Sequence, residues 1–397
     1  MSPPFRIALF NQYDQGWVAG TEYIRNIIFG LSSLAPGAQN ALEINLITRK
    51  TTDDSLLKQT ESCRGKIYFI EDILGPETSW KRCKWKTAGF FLNRPYYRYE
   101  DFLNTQGFDF IYPYVSPCND VPSRKSAAWI FDFQHKYLPR NFSRAEILIR
   151  NRYFGLIARC ASTVVLSSRC AQEDFQRFFP KAAHKSTVLS FKTVPAPEWF
   201  KGTPNDVQKK YSLPNRFFIV SNQLWQHKNH LAILEALRLL KAEGVHPISV
   251  WTGQPSDYRK PGYYEKIAKS ILEFQLERQV FILGLIPKVD QMQLMRASIA
   301  VIQPSLFEGW STVVEEARCI GKPIILSDIP VHIEQKPPDS VYFDHTSPGS
   351  LAQVMAKWWK TLSPGPNEGQ EAAAKEKNRE DVQVFAKKFL EIAGKNR

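Results

Sequence analysis

Short apolar, β-branched runs alternate with longer amphipathic stretches from one end of the chain to the other, and this rhythm constrains the fold more than any other feature. Alternation of this kind is the pattern of parallel sheets covered by helices. It predicts strands at 5–10, 42–48, 66–70, 109–114, 127–131, 163–167 and 186–191, and again at 216–221, 247–251, 279–283, 299–303, 323–326 and 341–343. Helices are expected over 21–34, from the capping-box spacing Ser143-Arg144-Ala145-Glu146 to about residue 160, and over 371–393. The stretch 193–214 carries Pro195, Pro197, Pro204 and Pro214 among polar residues and reads as a connection. A chain of 397 residues can bury two cores. The expected class is therefore α/β, with two Rossmann-like domains at 1–195 and 215–370 facing each other across a cleft. A linker at 196–214 joins them, and a C-terminal helix in 371–397 packs back on the first domain. In such sheets ligands bind at the carboxyl ends of the strands.

Composition removes several classes. With 43% hydrophobic and 23% charged residues the chain is neither disordered nor fibrous. No window reaches the ~18–20 apolar residues of a membrane span, and Met1-Ser2-Pro3-Pro4 has no signal-peptide character, so a cytoplasmic location is expected. The six cysteines, at 63, 83, 118, 160, 170 and 319, show no C-x-x-C pair and read as reduced thiols. A net charge of +13 favours anionic partners: nucleotides, nucleic acid or acidic lipid. An aromatic content of 13% suits ring-shaped ligands or a membrane interface, and suits large cores equally.

The segment richest in chemistry is 304–318, PSLFEGWSTVVEEAR, which follows an apolar strand and opens a helix. Amides near Ser311 and Thr312 would present the positive end of a helix dipole to an anion. Glu308 precedes that helix and Glu316 lies eight residues later, so the two carboxylates can bracket an extended hydroxylated ligand. On spacing alone, an equal alternative is that Glu308 caps the helix while Glu315 and Glu316 are solvated. A second segment, 220–230, places Lys228 between a strand and a helix N-terminus, where an ammonium can neutralise phosphate.

These segments resemble retaining glycosyltransferases of family 4, which have the GT-B fold. The E-x7-E motif at Glu308 and Glu316, its context Pro304-Ser305-Leu306-Phe307-Glu308-Gly309 and the run from Gly321 to His332 are similar to that family. The resemblance implies that Glu316 binds the ribose of a sugar nucleotide, that Glu308 contacts the donor sugar and that Lys228 holds the β-phosphate. It places Gly309, Trp310, Ser311, Thr312 and Val313 along the donor, with Ser311 and Val313 departing from the usual glycine and proline. Gly253, Leu285 and Ile286 would surround the base. Asn222 or Gln223 stands near the place of the family's phosphate-binding arginine, and His227 could share that task. Phe131-Asp132 stands where family members often carry a His-Asp pair, so His135, the nearby imidazole, is the candidate near the sugar, while Gly16 and Gly20 resemble a glycine-containing loop beside the diphosphate.

No D-x-D occurs in the chain and no His/Cys/Asp group has metal-ligand spacing, so a UDP-sugar donor is expected to bind without a metal or other cofactor. The expected reaction is transfer of a hexose, glucose by preference, to an oligosaccharide or lipid-linked acceptor in polysaccharide or lipopolysaccharide synthesis. Cations interleaved with aromatics over 80–99 suit peripheral contact with an anionic inner membrane face. A nucleotide-sugar epimerase and a polyanion-binding protein compete with this reading. No nucleic-acid recognition motif is present.

Overall fold

The computed structural model describes residues 3–11, 18–52, 54–63, 65–75, 99–115 and 125–394. Gly16 and all of the 80–99 segment except Tyr99 lie outside them. The chain divides into two compact units. The first comprises Met1–Phe133, Arg144–Val194 and Glu380–Arg397, and the second Gln134–Ser143 and Pro195–Arg379.

Unit 1 is built on a seven-stranded sheet of β1 (Phe5–Asn11), β2 (Leu42–Thr48), β3 (Ile67–Phe69), β4 (Phe110–Tyr112), β5 (Lys125–Ile130), β6 (Thr163–Leu166) and β7 (Ser186–Val188). Its order is β3-β2-β1-β4-β5-β6-β7 and every pairing is parallel. Sheets covered on both faces need strands that are apolar without alternation, and β1 and β5 end in unbroken buried runs. The final helix, Glu368–Ala393, spans the boundary. Its last turns join unit 1 through Phe389, whose ring meets Phe110 and Tyr112 edge-on, and through Phe385 and Ala386, which lie within van der Waals reach of Gly30.

Unit 2 holds the parallel sheet β10-β9-β8-β11-β12-β13. Its strands are β8 (Phe218–Ser221), β9 (Ser249–Thr252), β10 (Val280–Ile282), β11 (Val301–Gln303), β12 (Ile324–Ser327) and β13 (Ser340–Phe343). The stretch 196–214 contains a short 3-10 turn, Pro197–Phe200, and a helix, Pro204–Lys210, within this unit. Trp199 and Leu213 from that stretch belong to the same apolar cluster as β8 and β11.

Cys160 is disulfide-bonded, a correction to the expectation of reduced thiols. Spacing along the sequence reports only cysteines close in the chain, whereas a fold can pair distant ones. Cys319 is a free thiol, and burial pushes it up.

Candidate functional site

In a doubly wound sheet the strand order reverses at one point, and the loops leaving the two strands there diverge to open a crevice. In unit 2 that point lies between β8 and β11. The loop after β8 carries 222–229 and the loop after β11 carries 304–311, so Lys228 and Glu308 come together from opposite sides of it. Leu306 N donates to the His227 carbonyl at 2.8 Å and ties the two loops. Asn229 takes a left-handed turn, φ 57°, and leads into the helix His230–Ala242.

Lys228 Nζ donates to Glu308 Oε1 at 2.6 Å, and both side chains are largely buried. The same oxygen accepts from Ser305 Oγ at 2.6 Å and from Gln303 Nε2 at 2.9 Å. Two turns further on, Glu316 is buried and pairs with Lys288 Nζ at 2.5 Å, with Gln291 Nε2 at 3.4 Å. Glu315 is buried too, between Arg318 and Gln335 Nε2. The solvated reading of these glutamates therefore fails. A buried carboxylate needs a partner, and each has one.

Ser311 caps the helix Thr312–Cys319, its Oγ accepting from Val314 N. Gln335 Oε1 occupies the Ser311 amide at 3.1 Å, so that amide is not offered to an anion. The open first turn rests on Thr312 and Val313. Gly309 and Trp310 are half-buried just before it.

His227 is buried and neutral, since burial, then Lys228 and Arg259, hold its imidazole well below the usual range. It supplies no charge beside Lys228; Arg259 does. This guanidinium is buried over the Trp225 ring, 4.4 Å from its centroid, and reaches His227 Nδ1 at 3.4 Å. It also donates to Gln134 Oε1 at 2.9 Å and lies over Phe142, which anchors the segment Gln134–Ser143 in unit 2. His135 rides on that segment, buried, with its ring edge-on to Phe142 at 6.4 Å. Asp132 is half-buried in unit 1, where Gly20 is also found, buried in the helix Val18–Ser32.

Asn222 is buried and gives its amide to Gln303 Oε1 at 2.7 Å. Gly253, at φ +126°, must be glycine, because a Cβ there would stand 2.3 Å from the Asn222 carbonyl. Its N–H donates to the Gly284 carbonyl at 2.8 Å, joining the loops after β9 and β10, while Leu224 N donates to the Gln254 carbonyl at 3.0 Å and ties in the loop after β8. Beside Gly284, Leu285 is largely exposed while Ile286 packs on the core. The fold also gathers Asp328, Asp344 and His345, whose ligand atoms lie within 4.8 Å of one another and could hold a cation. Positions so far apart in the chain show no metal-ligand spacing. In the structure Asp328 Oδ1 accepts from His345 Nδ1 at 2.5 Å, and Asp344 Oδ1 accepts from Thr346.

Sequence reasoning missed Gln303, Ser305, Lys288, Gln291, Arg259 and Gln335. The usable signal for three of them was position: Gln303 ends a strand at the switch point, Ser305 stands two residues beyond it, and Lys288 opens the helix after β10.

Residues 204–376 match the family described as glycosyl transferases group 1. No curated protein matches the sequence. Among solved structures, HepE from Anabaena in complex with UDP and glucose is 16% identical, with 98% of this chain and 100% of that chain covered at a TM-score of 0.64. A sucrose-phosphate synthase from Thermosynechococcus elongatus is 14% identical, with 98% and 96% covered and a TM-score of 0.63. WaaG, a glycosyltransferase involved in lipopolysaccharide biosynthesis, is 13% identical, with 96% and 95% covered and a TM-score of 0.59. The chain thus has the GT-B fold, and the part of it that holds Lys228, Glu308 and Glu316 matches the group 1 glycosyl transferases in sequence.

Proposed function

We propose that this protein is a retaining glycosyltransferase that moves a hexose, glucose by preference, from a UDP donor to a saccharide acceptor. The observation that carries the reading is the Lys228–Glu308 pair at the switch point, with Glu316 two turns further along the same segment. HepE, whose structures hold UDP and UDP-glucose, supports uracil as the base. In the reading, Glu316 accepts from the ribose hydroxyls and Glu308 from a sugar hydroxyl. Lys228, with the Thr312 and Val313 amides, meets the diphosphate. That preorganised charge stabilises the leaving UDP as negative charge grows on it, the role a metal has in other sites. The acceptor hydroxyl attacks from the face the UDP leaves, and the departing β-phosphate takes its proton, with both groups held in register.

Thermal unfolding with UDP, GDP, ADP and their sugars tests this, because a ligand of the folded state raises stability by mass action. Selective protection by UDP and UDP-glucose is expected; protection by none overturns the proposal. Conversion of the donor without acceptor would favour an epimerase, and tighter binding of oligonucleotides than of UDP-glucose would favour a polyanion-binding role for the +13 charge. The acceptor side of the proposal is a lipid-linked glycan at an anionic inner membrane surface, supported by the cationic and aromatic residues of 80–99. No helix among the described residues is long and apolar enough to cross a membrane. Recovery with anionic but not neutral vesicles, reduced by salt, is the expected outcome.

A further inference from the structure

We infer that Asn222 and Gln303 form a neutral amide relay that positions the Glu308 carboxylate toward the donor sugar, a role that rests on the donor reading above. Gln303 is the last residue of β11 and is fully buried; Asn222 is the first residue after β8, also buried. The two strands are neighbours at the switch point. Both ends of the Gln303 amide are used: Oε1 accepts from Asn222 Nδ2 at 2.7 Å, and Nε2 donates to Glu308 Oε1 at 2.9 Å, with Ser305 Oγ and Ser311 Oγ each at 3.2 Å. This orientation is forced. Turning the amide over would face donor to donor at Asn222 and acceptor to acceptor at Glu308.

The consequence falls on Glu308. Its Oε1 takes donors from Lys228, Ser305 and Gln303, whereas no described residue donates to Oε2. The carboxylate is therefore held in one rotation with a single oxygen open as an acceptor. Lys228 is the member of this set that a diphosphate would claim. Were Lys228 alone holding Glu308, phosphate binding would release the carboxylate at the moment it is needed. Gln303 and Ser305 keep Oε1 in place, so one ammonium can serve the phosphate while Glu308 stays aimed. Asn222, standing near the place of the family's arginine, thus contributes by orienting an amide rather than by charge.

The test is calorimetric titration of UDP and of UDP-glucose into the unaltered chain, Gln303→Met and Asn222→Ala. Methionine keeps the volume of Gln303 and removes both its donor and its acceptor. The unaltered chain should prefer UDP-glucose to UDP. Gln303→Met should leave UDP affinity within about twofold and cut that preference by about tenfold, the loss expected when a hydrogen bond to a charged group is removed. Asn222→Ala should shift the preference in the same direction. The double variant should lose no more than the larger single effect, because the residues act in series. A structural role would weaken both ligands together. An unchanged preference in Gln303→Met, or a parallel loss of both affinities in the two single variants, overturns the relay. An unaltered chain that binds UDP and UDP-glucose equally removes the sugar contact on which the relay acts, and one that binds neither overturns the donor reading itself.

Discussion

The carboxyl edges of the two sheets are built from different materials. In unit 1 the buried side chains described there are neutral, and the charged residues of that edge, Arg49, Lys50, Asp72 and Asp132, are exposed or half-buried. Asn11 at the end of β1 bonds Thr48 at the end of β2, Thr21 reaches Asn11, and Tyr23 stacks on Trp129 at 4.0 Å while its hydroxyl meets that of Tyr112. In unit 2 the same edge carries ion pairs whose carboxylates are largely buried, Lys228–Glu308, Lys288–Glu316 and Arg259–Asp257. Burying an unmatched charge is costly, and a pair arranged so that a ligand can take over one partner is a natural place for an ionic ligand. One scaffold thus yields an edge of paired charges and an edge of buried amides, hydroxyls and rings. The difference rests on the few residues that follow each strand.

If that division is real, the largest loss should come from the charged edge. Lys228→Ala should lower turnover with UDP-glucose by about 100-fold or more, the scale of removing one preorganised donor from a developing anion. Its effect on uridine binding should be small, since a nucleoside brings no phosphate. Glu308→Ala should also lower turnover while leaving UDP affinity nearly intact. Steady-state rates beside calorimetry check both, and equal losses of uridine and UDP-glucose binding would contradict the assignment.

The charged edge also predicts a specific acid response. His332 is fully buried near Glu308 and Lys228 and is held at about 4 by burial, while His230 is held at about 3 by burial and by Lys228. Both fold as neutral imidazoles, below their unfolded value near 6.5. The unfolded chain therefore takes up protons first as pH falls. Stability is complete above about 6.5 and declines towards pH 4, by at most about 1.4 kcal/mol per pH unit for each histidine. Urea denaturation at pH 7 and 5 should show this decline, and His332→Gln should reduce the slope. An unchanged slope in that variant would place the proton uptake elsewhere.

How much of this was legible beforehand follows from the same contrast. The thirteen strands among the described residues lie where the apolar runs predict them, most plainly where a strand is buried on both faces and reads as an unbroken hydrophobic stretch, as at the ends of β1 and β5. Lys228, Glu308 and Glu316 were legible from position and from a family-like motif. Their partners were not. Gln303 and Lys288 are single polar residues with no period, and they matter only because the strand order sets β8 beside β11 and brings the loop after β10 to the same edge. The transfer of Gln134–Ser143 to unit 2 has no local signal either, since it depends on Arg259, more than a hundred residues away.

A smaller effect separates the two carboxylates of the charged edge from each other. Glu316→Ala should weaken UDP by about 1–3 kcal/mol, because buried ribose hydroxyls lose a charged acceptor. Calorimetry that finds UDP affinity unchanged would remove Glu316 from the ribose. Lys288→Ala should change UDP affinity less, since it frees Glu316 to accept from the ribose while leaving a buried carboxylate without its cation, and these effects oppose.

The smallest expected effect is the sharpest test of whether protein charge replaces a metal. Lys228 and the open turn at Thr312 are proposed to neutralise the diphosphate, so turnover in EDTA should match turnover with added Mg²⁺ or Mn²⁺ within about twofold, well under the 1.4 kcal/mol of a tenfold change. The Asp328, Asp344 and His345 group is the place among the described residues where a cation could still bind. Asp328→Asn with His345→Gln removes it while leaving the Lys228–Glu308 pair untouched. If EDTA abolished activity and this double variant did so as well, the charge needed by the leaving group would come from a metal held by these side chains. If EDTA has no effect and Lys228→Ala has a large one, the charge resides in the loops after β8 and β11.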